Sequence, residues 1–147
     1  MKILLVEDNL ADRLLTQKAF SKSSIKSELH CVEDGHAALH YLTAQMGGSS
    51  PDVILSDMHL PDMTGHEILS ELVQNEQLSN IPFVILSSSS SKQEINLSYE
   101  LGASAHVLKP SSMCAFYALA DAVLKAADKK PFALDPLFES REQVGAA

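Results

Sequence analysis

A chain of 147 residues with 46% apolar and 20% charged side chains has enough material for one sizeable core and the make-up of a soluble globular domain. Its net charge of −8, with basic residues scattered apart from Lys129-Lys130, excludes a protein that grips a phosphate backbone through a basic face. No apolar run is long enough to span a membrane, and Glu7-Asp8 interrupts the N-terminal apolar stretch too early for a signal-peptide core; a cytoplasmic chain with Cys31 and Cys114 as reduced thiols is expected.

In chain order, residues 2–7 read as a buried strand that ends on Glu7-Asp8. Residues 10–22 have helical period, with Ala11, Leu14, Leu15 and Ala19 on one face. A short strand over 28–33 and an Asp34-Gly35 turn lead to a helix over about 36–46, which Gly47-Gly48 ends. The run 52–57 is a further buried strand ending on Asp57. After a loop containing Pro61, Thr64-Gly65-His66-Glu67 has the spacing of a capping box, and Ile68, Leu69, Leu72 and Val73 follow at helical period. Residues 83–86 form a fourth buried strand. Ser91-Lys92-Gln93-Glu94 is a second capping-box pattern, opening a weaker helix that stops at Leu101-Gly102. A fifth strand over 105–108 and a last helix over about 112–127, with Phe116, Leu119, Ala120, Val123, Leu124 and Ala127 on one face, complete the pattern.

Five βα units of this kind predict an α/β fold, a doubly wound parallel sheet with helices on both faces. Ligands bind such sheets beyond the carboxyl ends of the strands. Asp8, Asp57, Ser87 and Lys109 all fall at or just past those ends, and so would meet on one rim.

The residue types on that rim suit phosphoryl transfer. A carboxylate can act as the nucleophile that becomes an aspartyl phosphate. Three converging carboxylates are costly unless a cation neutralises them, and a hard cation such as Mg²⁺ takes one or two carboxylates together with phosphate oxygens. Asp8 and Asp57 could hold it directly, and Glu7 through water. Lys109 offers a fixed positive charge to a phosphoryl group, Ser87 a hydrogen bond, and Ser88 is small enough to leave the path open. A phosphatase of similar topology would need a second acid two residues after the nucleophile, where His59 stands. His36 and His40 lie four apart on a helix without a third ligand and read as a solvated face.

Glu7-Asp8-Asn9, Asp57 with Leu60-Pro61 and Gly65 downstream, Ser87, and Lys109-Pro110 together resemble the receiver domain of two-component response regulators over about residues 1–127. The resemblance implies a flavodoxin-like five-stranded sheet of order 2-1-3-4-5. It implies that Asp57 accepts a phosphoryl group from the phosphohistidine of a sensor histidine kinase or phosphotransfer protein. Asp8, Asp57 and the backbone carbonyl of His59 would hold Mg²⁺, Ser87 and Lys109 would bind the phosphoryl group, and the Lys109-Pro110 bond would be cis. Such a domain is no enzyme beyond its own phosphorylation and slow dephosphorylation.

Two departures stand out. The acidic pair is Glu-Asp, and His106 occupies the position where the family usually places the aromatic ring that turns when Ser87 engages the phosphoryl group. His106 is either a titratable, differently wired switch element or a solvated strand-edge residue without a switching role. Residues 128–147 form a tail with Pro131 and Pro136 and an apolar set of Phe132, Leu134, Leu137 and Phe138; it is too short for a DNA-binding output domain and is expected to dock on the domain or across a homodimer. This layout also resembles single receivers that serve phytochrome-type kinases. No nucleic acid or membrane partner is expected.

Overall fold

The structure is a computed structural model and describes residues 1–89 and 91–140. Strands β1 (Lys2–Val6), β2 (Glu28–Val32), β3 (Val53–Asp57), β4 (Phe83–Ser87) and β5 (Ala105–Leu108) alternate with helices α1 (Leu10–Lys22), α2 (Gly35–Ala44), α3 (Gly65–Val73), α4 (Lys92–Glu100) and α5 (Met113–Ala127). All strand pairs are parallel, in the order β2-β1-β3-β4-β5. The expected elements are all present. Their ends move by a residue or two: Asp52 falls outside β3, where its backbone and carboxylate bond the Lys2 backbone, and Ser87 closes β4.

Alternation along the strands divides the core in two. Ile3, Leu5, Val53, Leu55, Val84, Leu86 and Val107 face α1 and α5, whereas Leu4, Val6, Ile54, Phe83 and Ile85 face α2 and α3. Both faces are covered, which is why β1, β3 and β4 read as continuous apolar runs.

Each helix begins on a side chain that satisfies an otherwise unpaired amide. Asn9, Asp34, Thr64, Ser91 and Ser112 accept from the backbone N–H of Asp12, Ala37, Glu67, Glu94 and Ala115. Asp62 adds a link between elements. Its carboxylate accepts from the backbone N–H of Gly35 and His36 at the start of α2 and pairs with the His36 ring. Burial alone would raise the Asp62 carboxyl, but these donors outweigh it and hold it down to about 2. His36 is therefore exposed, as expected of that helix face, but it is held by a partner.

The face of α1 differs from the periodic reading. Thr16, Ala19 and Phe20 are buried, while Ala11 and Leu14 are exposed. The polar Thr16 tolerates burial because its hydroxyl donates to the Asp12 carbonyl at 2.7 Å. Val73, read as part of the apolar face of α3, is exposed at the last turn of that helix.

Past α5 the chain turns back along the edge strand β5. Leu134 is buried, and Phe132 and Phe138 pack against the α1–α5 core. Glu139 forms an antiparallel bridge with Val107, and the Ser140 N–H donates to the His106 carbonyl at 2.6 Å. Leu137 points outward and is 90% exposed. The Lys130-Pro131 peptide is cis. Lys109-Pro110 is trans, against the cis bond that the resemblance implied; trans is the ground state of such a bond unless packing overrides it. Among the described residues no helix is long and apolar enough to cross a membrane.

Candidate functional site

The site forms where β1, β3 and β5 end. Parallel pairing matches Val6 with Ser56, so the next residues, Glu7 and Asp57, leave the sheet side by side. On the other side of β3, Ser87 pairs with Leu108, and Lys109 follows with its N–H bonded to the Ser87 carbonyl. Gly65 lets α3 approach: a Cβ there would sit 2.9 Å from the Asp57 carbonyl oxygen.

Glu7, Asp8 and Asp57 each offer an oxygen within 4.8 Å of the others. Lys109 Nζ lies 2.5 Å from Glu7 Oε1, 2.8 Å from Asp12 Oδ2 and 3.2 Å from Asp57 Oδ2. One cation thus meets three carboxylates, with Asp8 nearby as a fourth. Burial, reinforced by the neighbouring Asp57 carboxylate and opposed by Lys109, pushes the Glu7 carboxyl up to about 7. Burial would lower Lys109, but Asp12, Glu7 and Asp57 outweigh it and keep the ammonium charged. Arg13 fixes the loop before α1 by donating to the carbonyls of Glu7 and Asp8 and pairing with Glu33. The crowded, oxygen-only donor set fits a hard divalent cation.

The structure therefore brings Glu7, Asp8, Asp57 and Lys109 together. His59 lies on the surface two residues past Asp57, with its backbone bridged to Thr64. Ser88 is exposed just beyond β4. Ser87 is buried and turned to α4: its hydroxyl donates to Glu94 Oε1 at 2.7 Å and accepts the Ser89 N–H at 3.1 Å. Asp12 and Glu94 were not foreseen. Asp12 already has a local role in the first turn of α1, and Glu94 in the capping pattern of α4, so neither signalled a long-range partner.

His106 is fully buried, which overturns the solvated strand-edge alternative; α4 packs against β5 and covers it. Its Nδ1 bonds Ser98 Oγ at 2.8 Å, and the same hydroxyl bonds His66 Nε2 at 2.7 Å. The Nε2 of His106 has no hydrogen-bond partner among the described residues. Burial depresses both rings below the ordinary histidine value, opposed by the charge of Glu94.

An open five-stranded α/β sheet with clustered acids and a lysine at the carboxyl ends of its strands defines a class of signal-receiving domain. The family model described as "Response regulator receiver domain" matches residues 3–121, and the chain belongs to that family. It is 38% identical over 114 residues to the response regulator Rcp1 of Synechocystis, covering 76% of this chain and 78% of that protein. The crystal structure of the Mn²⁺-bound form of Rcp1 superposes with a TM-score of 0.75 at 33% identity, covering 91% of this chain and 98% of that one. The phosphorylated cyanobacterial phytochrome response regulator RcpA gives 0.79 at 34% identity, with 90% and 96% covered. The protein is a response regulator of two-component signalling, and the expected order 2-1-3-4-5 is the observed one.

Proposed function

We propose that Asp57 is the residue that receives the phosphoryl group, from the phosphohistidine of a sensor histidine kinase or a phosphotransfer protein. The observation that carries this reading is the juxtaposition of Asp57 with Glu7, Asp8 and a partly buried Lys109 at one rim. Asp57 is only partly buried, so a donor can reach it, whereas Glu7 is closed off by the strands around it. Lys109, already 3.2 Å from Asp57 Oδ2, is placed to pair with a phosphoryl oxygen added there.

Asp8 and Asp57, with the His59 carbonyl, would hold a divalent cation, Mg²⁺ in the cell, and Glu7 would reach it through water. The Mn²⁺ in Rcp1 and the fit of the donor set support this assignment. Such an ion supplies neutralisation of charge on the transferred group. Asp8 and Glu7 then serve to position it, and exposed Ser88 leaves the approach to Asp57 clear. Ser87 would leave Glu94 to hold a phosphoryl oxygen, and Pro110 would shape the loop that carries Lys109.

Residues 1–127 act as the receiver unit, which switches a partner-binding surface when Asp57 is phosphorylated, and the packing of 128–140 along β5 supports a place for that extension in this surface. The chemistry is confined to phosphorylation and slow dephosphorylation of Asp57 itself, in the cytoplasm, without turnover of an external substrate. Likeness to RcpA and to the bacteriophytochrome response regulator RtBRR, 40% identical, favours a phytochrome-type kinase as donor; a homodimer through the edge at β5 is compatible with the exposed Leu108 and Leu137. Incubation with acetyl phosphate and Mg²⁺ should give a base-labile phosphoryl label that is absent from Asp57→Asn and from samples with excess chelator. A label that persists in Asp57→Asn would remove the proposal.

A further inference from the structure

Ser87 carries one hydroxyl proton and can give it to one strong acceptor at a time. Here that proton goes to Glu94 Oε1 at 2.7 Å, while the oxygen accepts the Ser89 N–H at 3.1 Å. Glu94 stands third in α4, where a capping box would return its carboxylate to the N–H of Ser91. Only half of that box forms. Ser91 Oγ accepts the Glu94 N–H at 3.3 Å, but the Ser91 N–H donates to Ser89 Oγ at 3.2 Å, and the carboxylate is turned to Ser87. A side chain that the local sequence assigns to a helix cap is spent on the end of β4.

We propose that Glu94 is a positioning residue that competes with phosphorylated Asp57 for the single Ser87 proton. The inference rests on reading Asp57 as the phosphoacceptor and Ser87 as a phosphoryl-binding group, and it adds the group that must release Ser87 first. While Asp57 is unmodified, the Glu94 carboxylate holds the hydroxyl away from the rim. When Ser87 swings to a phosphoryl oxygen, Glu94 loses its donor and can return to the Ser91 N–H. The first turn of α4 therefore reports the state of Asp57 through one exchanged hydrogen bond, and removing Glu94 favours the modified state because the part-buried bond from Ser87 that the unmodified state loses is stronger than the exposed cap contact that the modified state loses.

The test titrates beryllofluoride with Mg²⁺, a tetrahedral phosphoryl mimic that binds a carboxylate, and follows backbone amide shifts. The proteins are the full chain, Glu94→Gln and Glu94→Ala, each with Ser87 and with Ser87→Ala, and Asp57→Asn as control. Glu94→Gln keeps the shape of the cap, and the amide spectra report whether each variant is folded. With Ser87 present, Glu94→Ala should lower the half-saturating concentration about tenfold, the size expected for loss of a hydrogen bond to a charged group, and Glu94→Gln should fall between. In the Ser87→Ala background the same changes should have no effect. Equal shifts in both backgrounds, or none with Ser87 present, would overturn the competition while leaving Asp57 as acceptor. Binding that survives Asp57→Asn, or no binding at all, would overturn the phosphoacceptor reading and this inference with it.

Discussion

Lys109 holds the site together at the scale of single residues. Its ammonium meets the carboxylates of Glu7, Asp12 and Asp57, while the other cation near the rim, Arg13, bonds the Glu7 backbone carbonyl. Lys109→Ala would leave the buried Glu7 facing Asp57 with its positive partner gone. Breaking a buried ion pair in this way costs about 3 kcal/mol, and the loss should appear in urea unfolding without added metal. Restoring most of it with Asp57→Asn in the same chain would show that carboxylate crowding is the cause. Asp57, Asp8 and Lys109 were legible in the sequence because each follows an apolar run and so had to emerge at a strand end. Asp12 was not: its ion pair joins positions 97 apart, and nothing local distinguishes it from an acid placed to complement a helix N-terminus.

At the scale of elements, β5 and α4 show where periodicity stops informing. Residues 105–108 read correctly as a strand, but the ring of His106 finds its partner, Ser98, on α4, and that hydroxyl links it to His66 on α3. Strand alternation cannot say whether an edge strand is covered by a helix, so His106 could be read as wet or dry. Its burial has a measurable consequence. A histidine depressed in the folded state contributes stability that is present above its unfolded value of 6.5 and is lost as the pH falls below it, because the unfolded chain takes up the proton and the folded one resists. His66 adds to the same trend. Glu7, raised to about 7, works in the opposite direction over this range, because its folded form takes up a proton that the unfolded chain does not, so the contrast between variants carries the prediction. From pH 7 to pH 5, His106→Phe should gain stability relative to the unsubstituted chain, and equal slopes in thermal melts would contradict this. The face of α1 was misread for a related reason. Leu14 fits the apolar period, yet the helix turns Thr16, Ala19 and Phe20 to α5 and the sheet, since Thr16 can satisfy its hydroxyl within its own turn.

At the scale of the whole molecule, the fold followed from alternation and buried runs, and the rim followed from the fold. Five parallel strands of order 2-1-3-4-5 put the ends of β1, β3, β4 and β5 on one edge, which suffices to gather Glu7, Asp8, Asp57, Ser87 and Lys109 within one region. The sequence could not show in which direction Ser87 points, because that depends on Glu94, seven residues away on another element. Nor could it place the segment 128–140, whose route along β5 is set by where Leu134 and Phe138 find the α1–α5 core. The proposed function makes a single chemical demand of the molecule: that phosphorylation occur on Asp57. The most direct measurement is borohydride reduction of the protein after treatment with acetyl phosphate and Mg²⁺, followed by peptide mass analysis, since reduction converts an acyl phosphate to an alcohol. Conversion of residue 57, and of no other carboxylate, is the predicted result. Reduction at Asp8 or Glu7 with residue 57 unchanged would contradict it.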